Sequence, residues 1–181
     1  MIASGLARGP GQPHADRRSA GQAVVEFALL VPVALLLLLA IADFARLYTT
    51  AITVESAVRE AADYGAFSNS NWLSANSALT WAGMQQRACT SASTLPDYQS
   101  TDPLNKTCTN PTITYTLDNP SGIDCSATVP SGALPCVVHV HGHYDFKLIV
   151  SGLSIPGLFT FPSTVSIDRE ASYVVNDFPS P

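Results

Sequence analysis

No run of basic residues appears anywhere in this chain. Its 181 residues carry 9 Lys and Arg against 14 Asp and Glu, a net charge of −5. Without a basic stripe to track phosphates, nucleic acid is not an expected partner. No two cysteines lie closer than the eleven residues from Cys125 to Cys136. That is too wide for the C-x-x-C pairs of a structural zinc site. No Ser/His/Asp or Cys/His nucleophile pattern stands out, so an enzyme is not expected and no cofactor is required. Finally, no charge falls in the sixteen residues FALLVPVALLLLLAIA between Glu26 and Asp43.

That last absence dominates the reading. A helix needs roughly 17–25 apolar residues to cross a hydrocarbon layer about 30 Å thick. Ala23 to Ala42 supplies twenty, with Glu26 tolerated near one end. The alternative is a buried core helix in a soluble domain. Against it, the five leucines from Leu35 to Leu39 are apolar on every side, and a domain this small has no core to enclose them. Arg8, Arg17 and Arg18 precede the span with only Asp16 opposing them, and Asp43 follows it. An excess of Arg on the short side places the N-terminus in the cytoplasm and the C-terminal part outside. All four cysteines, Cys89, Cys108, Cys125 and Cys136, then fall in an oxidising compartment. An even number there reads as two disulfides, with three pairings open.

Three segments are expected. Residues 1–21, rich in Gly, Pro, Ala and Arg, read as a cytoplasmic leader. Residues 22–67 read as a transmembrane helix that continues outside, with Pro32 a possible kink. Beyond Asp43, Phe44, Leu47, Tyr48, Ala51, Val54, Val58, Ala61, Ala62 and Gly65 keep the spacing of an amphipathic helix. Asp43–Arg46 and Glu55–Arg59 are spaced to support an exposed face. One helix from about Val24 to Phe67 would be roughly 65 Å long at 1.5 Å per residue.

Residues 68–181 read as an exported β-rich domain. Ser, Asn and Thr dominate 68–110, with a further helix over about Asn71 to Ala88. Three strands follow, at 112–118, 136–150 and 163–175. Ile113, Tyr115 and Leu117 share one face of the first. In the second, Val138, Val140, Tyr144, Phe146, Leu148 and Val150 alternate with His139, His141, His143, Asp145 and Lys147, so one face is dry and the other wet. A long helix lying on a small antiparallel sheet is an α+β fold.

Three features bear on function. His139, His141 and His143 point the same way from a strand, an arrangement three metal ligands could use. Asp145 and Lys147 continue the row, which suits a plain solvated face equally well. Asn105-Lys106-Thr107 fits a glycosylation pattern with no expected consequence. The third feature is Gly21-Gln22-Ala23-Val24-Val25-Glu26-Phe27 at the membrane entrance. A carboxylate beside a hydrocarbon run is costly and marks function, although an acidic residue also suits a helix start.

Gly, a Glu five residues on, an aromatic and an apolar span together resemble the processing site of type IV prepilins. RRSAGQAVVEFALLVPVALLLLLAIADFARLYTT, and VESAVREAADYGA after it, resemble the TadE-like family of the tight-adherence (Flp) pilus system. VVHVHGHYDF, the Pro156-Gly157 turn and a final strand pair are similar to that family's β region. Residues 68–135 match no family pattern.

The resemblance implies a pilin-like fold and a pseudopilin that assists pilus assembly or secretion from the inner membrane. Its partners would be other pilin or pseudopilin subunits, the inner-membrane assembly platform and a prepilin peptidase. That peptidase would cut between Gly21 and Gln22, and Glu26 and Phe27 would serve assembly. Phe27 departs from the Tyr of the major Flp pilins, and the exported domain is far larger than theirs, which favours an accessory subunit. Two alternatives stand beside this reading. Ala40-Ile41-Ala42 meets the small-x-small rule of a secretory signal, so a cut after Ala42 would release a soluble domain. An exported or anchored domain with a metal-binding or enzymatic role would use the histidine row.

Overall fold

A computed structural model of the chain describes residues 17–67, 72, 77–102, 104, 106–122, 125, 135–149, 151, 154–155, 159–160 and 162–175. Most of the expected leader and the Pro156-Gly157 turn lie outside these residues. The chain divides into two compact units, Met1–Leu39 and Ala40–Pro181.

The described part of the first unit is helical. It belongs to α1, Arg17–Phe67, which runs uninterrupted past Pro32. Val24, Phe27, Leu29, Leu30 and the five leucines of 35–39 are all exposed. By length and composition this helix can cross a membrane.

The second unit is an α+β arrangement. After α1 come α2, Ser77–Ser91, and a short 3-10 turn, Ala92–Thr94. The strands are β1 (Gln99–Ser100), β2 (Cys108–Asn110), β3 (Thr112–Asp118), β4 (Val137–Lys147), β5 (Ser154–Ile155), β6 (Phe159–Thr160) and β7 (Thr164–Val174). The main sheet has the order β3-β4-β7, antiparallel throughout, and β1-β2 and β5-β6 form two small pairs. The three long strands fall close to their expected limits because each alternates cleanly. The second helix is described over Ser77–Ser91, overlapping the expected Asn71 to Ala88.

The core lies between the later part of α1 and the sheet. Val54, Ala57, Val58, Ala61 and Ala62 meet Val138, Val140, Tyr144 and Phe146, all buried. Contact is close at Gly142, where an added Cβ would stand 2.5 Å from Val58 Cγ1. Nearer the end of the helix, a Cβ on Gly65 would stand 3.3 Å from Val138 Cγ2. Toward Asp43, the Arg46 guanidinium lies 5.2 Å over the Phe146 ring. Helix and strand therefore run antiparallel. Their reach matches: the residues from Asp43 to Gly65 span about 33 Å of helix, and those from Val138 to Ile149 about 36 Å of strand.

Two expectations need correcting. Phe44 and Tyr48 are exposed, at 69% and 61%. At about 100° per residue, they lie well round the helix from the Val54–Val58–Ala61 stripe. Asp43 falls on that stripe instead and is buried at 4%. It does not support an exposed face: both its carboxylate oxygens accept the Ile149 N–H at 3.0 Å, with Arg46 3.4 Å from one of them. Glu55 and Arg59 do pair on an open face, at 2.5 Å.

The cysteines form Cys89–Cys108 and Cys125–Cys136, with Cα–Cα distances of 5.6 and 6.2 Å. The first ties α2 to β2, and the second closes the connection from β3 to β4. Trp72 and Trp81 flank Tyr115 at centroid distances of 5.6 and 4.2 Å, covering the end of the sheet away from Asp43. Tyr144 is buried beneath Asp97, whose backbone N–H donates to its hydroxyl at 3.1 Å. Burial pushes that phenol above its ordinary pKa.

Candidate functional site

Gly21, Gln22, Glu26 and Phe27 all lie on α1 and all are exposed. The spacing of four places Gln22 and Glu26 on one face, one turn apart. The Gln22 amide Nε2 donates to Glu26 Oε1 at 3.0 Å. The carboxylate thus already has a neutral donor, held from the residue that follows Gly21.

The histidines stand on the wet face of β4, as their alternation requires. The register sets each between a threonine of β3 and a polar residue of β7. His139 faces Thr116 and Ser172, His141 faces Thr114 and Glu170, and His143 faces Thr112 and Asp168. Carboxylates surround the row. His139 lies 3.2 Å from Asp118 through Nε2 and 3.2 Å from Glu170 through Nδ1. His141 lies 3.8 Å from Glu170. His143 lies 2.7 Å from Asp168 and 3.5 Å from Asp145.

The His143 pKa is raised, chiefly by the hydrogen bond to Asp168; burial opposes this, and the charges of Asp168 and Asp145 add to the rise. Asp118, Asp168 and Glu170 went unnoticed in the sequence because their nearness depends on strand register. The signal available was the shared parity of 168, 170 and 172 in the last strand. Among the described residues, no group of three His, Cys, Asp or Glu side chains is placed to hold a metal ion. The row is a ladder of cross-strand pairs.

A third feature lies on α1 just after Asp43. Phe44, Tyr48 and Ile52 recur every four residues and are 69%, 61% and 51% exposed. Such a stripe on a helix is suited to pack on another apolar surface.

Taken with the lipid-like exposure of its first helix, the fold defines the class: an α+β domain that continues directly from a helix able to span a bilayer. Comparison with known proteins narrows this further. A family model described as TadE-like protein matches residues 21–63. This stretch is TadE-like, in agreement with the resemblance seen in its residues, and it lies wholly within α1. No curated protein and no solved structure matches the chain.

Proposed function

We propose that this chain is a membrane-anchored, pseudopilin-like subunit that assists assembly of a tight-adherence (Flp) pilus or a related secretion apparatus. The observation that carries the reading is the TadE-like match, which begins at Gly21 and takes in Gln22, Glu26 and Phe27. In this reading α1 crosses the cytoplasmic membrane with the N-terminus inside. A prepilin peptidase cuts between Gly21 and Gln22. The continuous helix through Ala40-Ile41-Ala42 counts against a signal-peptidase cut, which needs an extended segment.

The chemistry follows from the cut. Cleavage creates a cationic α-amine at Gln22. The Glu26 of a neighbouring subunit then exchanges the neutral amide of its own Gln22 for that charged donor, a stronger hydrogen bond. An unpaired carboxylate in lipid costs a few kcal/mol, so only the register that pairs both charges is favoured. Phe44, Tyr48 and Ile52 extend the docking surface outside the membrane, toward pilin subunits and the assembly platform.

The test is Glu26→Ala, expressed in cells lacking the natural protein. The variant is expected to fractionate with membranes as the parent does and to fail to restore pili. Normal piliation would remove the pairing step.

A further inference from the structure

The hydrogen bonds at the two ends of β7 fix which of its backbone groups face the sheet. At one end the Val175 N–H donates to the Cys136 carbonyl at 2.9 Å, and at the other the Leu148 N–H donates to the Ser163 carbonyl at 3.3 Å. Both pairs continue the β4–β7 register that sets Val137 opposite Val174. In an antiparallel ladder, directly opposed residues alternate between bonded and non-bonded pairs. The odd residues of β7 therefore give their N–H and C=O groups to β4. The even residues, from Thr164 to Val174, turn theirs away from the sheet. Arg169 Nη1 donates to one of these outward groups, the Asp168 carbonyl, at 2.8 Å.

Among the described residues no strand pairs with that outer edge, and every even residue of β7 is exposed. The opposite edge of the sheet differs. There the Leu117 carbonyl of β3 accepts the Cys125 N–H at 3.0 Å, and the Cys125–Cys136 disulfide holds that donor in place. An open edge strand of eleven residues is a template for a further strand. Its side chains choose the guest. Asp168 and Glu170 stand on the wet face of the edge, and beside the β4 histidines their side chains remain 73% and 51% exposed. Like charges directly opposite each other destabilise a strand pair. Two copies of β7 joined antiparallel about residue 168, 169 or 170 would set Asp168 against Asp168, Asp168 against Glu170, or Glu170 against Glu170. The two carboxylates thus disfavour the chain's own strand and favour one with basic side chains at alternate positions.

We propose that the outer edge of β7 is a docking edge that takes an extended, basic segment of a partner protein as an added strand. Main-chain hydrogen bonds to the even residues hold the segment, and Lys or Arg side chains opposite Asp168 and Glu170 select it. The Arg169 guanidinium caps the Asp168 carbonyl while the edge is free and gives it up when the segment arrives. All of these residues lie within the α+β unit.

The probe is an end-blocked octapeptide of alternating lysine and valine, added to saturation to the full-length protein in neutral detergent and followed by residue-resolved amide hydrogen exchange. Exchange at Asp168, Glu170 and Ser172 is expected to slow about tenfold, while the odd amides of β7, already paired with β4, keep their rates. A glutamate–valine octapeptide is expected to change neither set. The same is expected of a lysine–valine octapeptide N-methylated throughout, which keeps its charge and loses every backbone donor. Asp168→Lys combined with Glu170→Lys is expected to reverse the preference, so that the glutamate–valine peptide protects the even amides. Absence of slowing, slowing that does not alternate along β7, or equal protection by the N-methylated peptide overturns the docking edge. Even amides that are slow without peptide and quicken on dilution would show a second copy on the edge and overturn the basic partner.

Discussion

Val58 packs against Gly142 so closely that a β-carbon on Gly142 would stand 2.5 Å from Val58 Cγ1. Both positions are buried, and Val54 Cγ1 and Ile113 Cδ1 also lie within 4 Å of that point. Gly142→Ala is therefore expected to destabilise the α+β unit by about 1–3 kcal/mol through overpacking, despite the better intrinsic fit of Ala to a strand. Thermal unfolding followed by circular dichroism checks this. An unchanged midpoint would mean the helix sits farther from β4.

Asp43 makes a different prediction. Its carboxylate is the acceptor for the Ile149 N–H, so Asp43→Leu keeps the bulk and leaves that donor unpaired. A loss of about 1–3 kcal/mol is expected, with faster hydrogen exchange at the Ile149 amide. Asp43→Asn retains one acceptor oxygen and is expected to be milder. Equal protection of Ile149 in the parent and the Leu variant would contradict the tether.

The His143–Asp168 pair makes a pH prediction of definite sign. The folded pKa of His143 is raised above an unfolded value near ~6.5. Its contribution to stability is thus complete below that unfolded value and is lost as pH rises through the folded one. Asp168→Asn is expected to bring the His143 titration, followed by NMR, back toward the ordinary range. An unaltered titration would show that Asp168 is not its main partner.

Much of this architecture was legible in the sequence, because periodicity reports which side of an element is dry. The alternation from Val137 to Lys147 marked both the strand and its buried face, and the recurrence from Val54 to Gly65 marked the packed stripe of α1. What escaped depends on contacts between distant segments. Asp43 looks like a surface residue until Ile149, 106 residues later in the chain, turns its N–H toward it. Phe44 and Tyr48 fit a loose apolar spacing, yet the true stripe is narrower and leaves them outside it. The choice of Cys89–Cys108 and Cys125–Cys136 follows from where α2 and β2 come together. The likeness of Gly21–Phe27 to a known family was legible for the opposite reason: its signature is local, contained within two turns of one helix.

Whether Gly21 and Gln22 flank a processing site is read by N-terminal sequencing of the protein isolated from its native membranes. A chain that begins at Gln22 is expected. A chain that begins at Asp43, or one that retains Met1, would contradict it.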